Sequence, residues 1–260
     1  KKTLSYILAI VVCLATLCGC GDTPSGGQTT DGPRDSVMLR NALGMQTTDP
    51  ADTNETDVLT VNEQIYEGLY TLDESGGGYQ PCLAKQIDIS DDATVYTITL
   101  QDGVKFHNGE TLKASDVVFS YQHFMDNPKY NSYTDMIEKV EASDDSHVVI
   151  TIARPYSPIL HTFFKIKILS EKEVTSQGSD FGTIANLAGT GPYYMDAETY
   201  RPNSGWTLYA FEDYWQGAPQ IKKIGYVVIE DKSSAVIALK NGDIDYLSGG
   251  YQGLWKVCDQ

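Results

Sequence analysis

Residues 94–125 constrain the fold more than any other part of this chain. Thr94-Val-Tyr-Thr-Ile-Thr-Leu100 alternates residue by residue, with Val95, Thr97 and Thr99 on one side and Tyr96, Ile98 and Leu100 on the other. Period two belongs to a half-buried strand. Asp102-Gly103 closes it as a hairpin-type turn, and Asn108-Gly109 is a second such turn. Over residues 115–125 the period lengthens to that of a helix, with Val118, Tyr121 and Met125 on one face. Asn127-Pro128 ends it. A chain that switches period this abruptly is neither a helical bundle nor an all-β barrel; it is mixed α/β with many antiparallel pairs.

The remaining body follows the same grammar. Residues 36–43 read as a first strand, Asp49-Pro50 as a turn and 57–66 as a helix stopped by Gly68. Residues 69–72 resume as a strand, and Gly76-Gly77-Gly78 is a loop tip. Residues 137–142 and 148–153 pair around Asp144-Asp145. Gly189-Thr-Gly-Pro192 is a bend that opens a strand at Tyr193. Residues 224–229 form a buried strand. Asp231 caps a helix over 233–241 that Gly242 closes, and 244–247 is a short strand.

The front of the chain is an address. Lys1 and Lys2 precede an apolar run over 4–17 that is too short for an ordinary membrane span. It ends in Leu17-Cys18-Gly19-Cys20, the pattern of a lipoprotein signal, which makes Cys20 the lipidated residue and 1–20 the signal peptide. Residues 21–35 are rich in Gly, Ser, Thr and Pro and form a flexible tether. Of the cysteines beyond the signal, Cys82 and Cys258 make no disulfide framework or metal clip, and their pairing stays open.

Charge narrows the partners. Asp and Glu number 35 against 19 Lys and Arg, a net charge of -16. That argues against nucleic acid and against an electrostatic grip on an anionic membrane. Tyrosines number 17 against 7 phenylalanines, which suits a wet binding cleft or simply Tyr-rich strands.

Three stretches in order carry a resemblance. They are IYEGLY at 65–70, which follows Asp49-Pro50; YTITLQDGVKFHNGE at 96–110 running into ASDVVFS at 114–120; and GTGPY at 189–193 followed by YWQGAP at 214–219 and ALKNGDID at 238–245. Together they resemble the family 5 extracellular solute-binding proteins, the peptide and nickel receptors of ABC importers. The resemblance implies a two-lobed, type II periplasmic-binding-protein-like clamp, α/β in class, of which this chain holds mostly the first lobe with a β-rich subdomain. Residues 36–69 and 189–260 fall to the first lobe and 70–188 to the subdomain; the second lobe is expected to be missing.

What the resemblance implies for function is capture of a peptide ligand at the extracytoplasmic face of a bacterial membrane. The receptor is held there by the lipid on Cys20 and delivers to a permease with its ATPase subunits. No cofactor and no catalysis are expected. Candidate ligand contacts are Leu43, Gly44 and Met45 after the first strand, Gly191 and Tyr193 at the strand opening, and Ser248, Gly249, Gly250 and Tyr251 after the last motif. Two alternatives stay open. A nickel or metal-chelate receptor would draw on His107, His123, His147 or His161, none of which shows helical metal-site spacing. A secreted lipid-anchored hydrolase would need a nucleophile motif, and neither Gly-x-Ser-x-Gly nor His-Glu-x-x-His occurs.

Overall fold

The computed structural model describes residues 34–73 and 75–247. The calls at Cys20, Ser248, Gly249, Gly250, Tyr251 and Cys258 lie outside the described residues. The described ones belong to one compact unit built around two four-stranded sheets.

The first sheet is mixed. Its order is β1 (Ser36–Asn41), β10 (Lys223–Val228), β9 (Gly205–Ala210), β8 (Tyr193–Met195). β1 runs parallel to β10, with Ser36 opposite Lys223 and Asn41 opposite Val228. The other two pairings are antiparallel. In β9 the side chains of Trp206, Leu208 and Ala210 are buried while Gly205, Thr207 and Tyr209 are half-exposed, so one face carries the core. Helix α1 (Thr56–Ile65) lays Val58, Val61 and Ile65 onto that core. Leu169, Val174, Ala185 and Ala188 join it from further along the chain.

The second sheet is antiparallel, in the order β4 (Ala84–Ile89), β5 (Val95–Leu100), β7 (His147–Ile152), β6 (Ile137–Ala142). Both central strands alternate half-exposed with buried, so Tyr96, Ile98 and Leu100 share a face with Val148, Ile150 and Ile152. Each such side chain taken from water stabilises the fold by about 1.5–3 kcal/mol. Helix α2 (Ala114–Met125) covers this face. A small hairpin, β2 (Tyr70–Leu72) with β3 (Tyr79–Pro81), connects the two sheets. Around the sheets lie α3 (Asn131–Thr134), α4 (Ile159–Lys165), α5 (Glu171–Gln177) and α6 (Lys232–Asn241).

Four local expectations change. Asp102-Gly103 is a turn with Gly103 at φ +71, but it joins no hairpin, because β5 takes its partners from β4 and β7. Asn108-Gly109 does close a minimal antiparallel bridge, Lys105 to Thr111. The buried face of α2 is Val117, Tyr121 and Phe124, with Val118 and Met125 only half-buried. Residues 244–247 make one isolated parallel bridge, Leu39 to Tyr246, and the first strand ends at Asn41. Asp231 does cap α6 by accepting from Ser234 N at 2.8 Å, and Gly242 ends it in the left-handed conformation.

Candidate functional site

The parallel pair β1 and β10 ends at one edge, where ligands of open α/β sheets collect outside the carboxyl ends of strands. Sequence dictates how that edge is built. Asn41 is buried, its C=O accepts from Ile229 N at 3.0 Å, and its side-chain oxygen accepts from Leu43 N at 3.3 Å. Ala42 N donates to the Asp57 carboxylate at 3.1 Å, which ties the turn to the first turn of α1. Arg40 reaches across to the carbonyls of Ile229 (2.8 Å) and Glu230 (3.2 Å). Backbone groups that would be orphaned at the strand ends are thereby paired.

The candidate contacts fall into different environments. Leu43 projects into solvent at 47% exposure. Gly44 lies against the loop before β9, where a Cβ would sit 2.4 Å from the Pro202 carbonyl. Met45 is fully buried, and its carbonyl accepts from the Tyr200 hydroxyl at 2.8 Å. Gly191 packs on the end of α1, its N–H donating to Ile65 O and its C=O accepting from His107 Nε2, both at 2.9 Å. Tyr193 is buried and donates its hydroxyl to Ile221 O at 3.0 Å. The structure thus gathers Leu43, Gly44 and Met45 at the edge and sets Gly191 and Tyr193 at the other end of the sheet, beside the start of β10.

A second constellation gathers residues of the stretches that carry the resemblance. Glu67, in the IYEGLY stretch, is buried, and its carboxylate accepts from Tyr214 (2.7 Å), Trp215 (3.0 Å to Oε2), Thr190 (2.8 Å) and the Cys82 thiol (3.5 Å). The first and third of the recognised stretches therefore meet on one carboxylate, through IYEGLY, GTGPY and YWQGAP. Burial pushes the Glu67 carboxyl upward, and the four side-chain donors oppose that. The same burial, with Glu67 alongside, pushes the Cys82 thiol well up, so it is no nucleophile. Lys167 was also missed. The signal for it was a charged residue inside the apolar stretch 163–169.

The histidines do not converge. His107 lies half-buried against Tyr194 and Phe211, and desolvation pulls it down to about 4. His123 bonds Asp49, His147 bonds Asp144 and His161 bonds Tyr79. Among the described residues no group of three or more His, Cys, Asp or Glu could hold a metal. No helix among them is long and apolar enough to cross a membrane.

Residues 78–258, more than half of the chain, match the family described as bacterial extracellular solute-binding proteins, family 5 middle. The chain belongs to this family. It is similar to the glutathione-binding protein GsiB of Salmonella typhi, 31% identical over 218 residues, which are 81% of this chain and 41% of that protein. Among solved structures it resembles MoaA of A. tumefaciens R10 in complex with mannopinic acid (27% identity, TM-score 0.75), over 82% of this chain and 44% of that one. It also resembles NikZ of Campylobacter jejuni in complex with Ni(L-His) (30% identity, TM-score 0.71), over 82% of this chain and 43% of that one. The chain spans less than half the length of these relatives. The described residues form the first lobe of the type II binding-protein fold with its β-rich subdomain.

Proposed function

We propose that this chain is the ligand-capturing lobe of an extracytoplasmic solute-binding lipoprotein that takes small peptides and delivers them to an ABC permease and its ATPase subunits. Cys20 carries the lipid, 1–20 is the signal and 21–35 the tether. Residues 36–69 and 189–260 belong to the first lobe, and 70–188 form the β-rich subdomain. The chain performs no covalent chemistry. A ligand settles at the edge of β1, where Leu43 is exposed and Gly44 lets the turn lie against the Pro202 carbonyl, with Ser248, Gly249, Gly250 and Tyr251 as further candidate contacts. Met45 holds that edge from behind, and Gly191 and Tyr193 are candidate contacts only at the other end of the sheet. An opposing lobe closes over the ligand about a hinge, and the ligand shifts that equilibrium only as far as it prefers the closed form.

The observation that carries this reading is the match over residues 78–258 together with the β1–β10 edge. There the strand ends are pinned from within by Asp57, Asn41 and Arg40 while an apolar side chain stays in solvent. The likeness to a glutathione-binding protein supports a short peptide as ligand. The likeness to a protein complexed with Ni(L-His) supports a metal chelate as the second reading.

A thermal melt of the protein expressed between its natural ends separates them. Ligand at a hundredfold excess over Kd stabilises the native state by about 2.7 kcal/mol. We expect a clear upward shift with glutathione or a di- to hexapeptide pool and none with nickel plus histidine. A shift with nickel and histidine alone transfers the site to the chelate reading, and hydrolysis of the peptides by the pure protein overturns both.

A further inference from the structure

A cavity of about 220 Å³ lies beside the Glu67 cluster, walled by Tyr70, Phe164, Lys167, Tyr214 and Glu63. Lys167 is only 7% exposed. Its backbone is fixed by a bridge to Gly68. Its ammonium lies 4.4 Å over the Phe164 ring, and it has no hydrogen-bond or ion-pair partner among the described residues. A buried ammonium has three N–H donors to satisfy. A ring face offsets only part of the cost of taking it out of water. The cavity is the space that this ammonium faces.

The other walls decide what kind of acceptor fits. Glu67 cannot serve, because its oxygens are already taken by Tyr214, Trp215, Thr190 and Cys82. It still places a negative charge near the cavity. Glu63 is exposed at the rim, and its charge favours the Lys167 ammonium. A simple anion would meet two carboxylates for one lysine, and a simple cation would meet the lysine. A molecule carrying both charges meets its complement at each end. The volume equals roughly seven waters, which is enough for an amino acid. Burial also pulls Lys167 down to about 8, as expected of an ammonium awaiting a counter-charge.

We propose that this cavity is a separate ligand site for a zwitterion of amino-acid size, its carboxylate on the Lys167 ammonium and its own ammonium towards Glu63. The carboxylate gains charge-assisted hydrogen bonds from an ammonium set in a largely buried wall. The site is distinct from the Leu43 edge and does not depend on what that edge binds.

The test is calorimetric titration of the protein between its natural ends with glycine, and with acetate and methylammonium as the two half-ligands at matched ionic strength. Glycine is expected to saturate one site, and both half-ligands to bind more weakly. Lys167→Met keeps the bulk, removes the buried charge and should melt no lower than the wild type. Glu63→Gln alters an exposed position and keeps the test valid should the first variant fail to fold. Each is expected to weaken glycine by about tenfold or more. Equal glycine affinity in all three proteins overturns the proposal, as does the absence of glycine binding to the wild type. So does a crystal structure grown with glycine in which Glu63 lies on Lys167 and only water fills the cavity.

Discussion

His123 shows how much of this molecule depends on single polar contacts set into apolar packing. Its ring is stacked on Phe119 and edge-on to Phe124 and Phe181, and Nε2 meets the Asp49 carboxylate at 2.9 Å. The same carboxylate caps the 3-10 turn Pro50–Asp52 by accepting from Ala51 N. The Asp49 hydrogen bond raises the histidine above its ordinary 6.5, against the opposing pull of desolvation. A histidine raised on folding adds stability that is fully present below its unfolded value and is lost as pH rises through the folded one. We therefore expect the melting temperature of the wild type to fall relative to His123→Gln as pH climbs from about 5 to about 9. Parallel melting curves for the two proteins across that range would remove Asp49–His123 from the account. Nothing in the sequence announced the pair, because 74 positions separate its members.

Among the elements, those defined by local pattern were legible and those defined by distant pairing were not. β5 and β7 alternate as read, and α6 begins at Asp231 and ends at Gly242 for the capping reasons already visible in the sequence. The face of α2 shifted by one residue because Val117 and Val118 are both apolar; the spacing Ala114, Val117, Tyr121, Phe124 against the sheet decides between them. The parallel pairing of β1 with β10 could not be read, since register between strands so far apart is set by tertiary packing. Helix α5 gives a test at this scale. Ser170 is 1% exposed, accepts from Glu173 N at 3.2 Å as its cap, and also accepts from the Asn108 side chain at 3.3 Å. Ser170→Ala is expected to cost about 1–2 kcal/mol in denaturant unfolding. A loss below a few tenths would mean that neither the cap nor the Asn108 bond to this hydroxyl holds the helix in place.

Across the whole described unit, the two sheets have separate hydrophobic cores, joined by the packing of Phe119, His123 and Phe181 and by polar contacts. Three of the polar links bear on the recognised motifs. His107 N donates to Gly189 O, Lys105 pairs with Asp213, and Glu67 draws Cys82, Thr190, Tyr214 and Trp215 together. Of the candidate site, the motifs were legible as a set while their meeting point was not, because a lone glutamate in a motif carries no mark of burial. Trp215 is the most informative member. Its indole bonds Glu67, and its ring packs against the core of the antiparallel sheet from a loop that follows the mixed one. Trp215→Ala removes a half-buried ring and strips one donor from a buried carboxylate, a loss of roughly 3 kcal/mol. If the Glu67 cluster couples the cores, that loss will not fall evenly on them. Calorimetry of the wild type should then give one transition with equal calorimetric and van't Hoff enthalpies, and the variant a broadened or split one with the two enthalpies unequal. A variant that simply melts lower, in one sharp transition with matched enthalpies, would show that the cores are coupled through the covalent chain and sheet packing, and that Glu67 only stabilises what those already hold together.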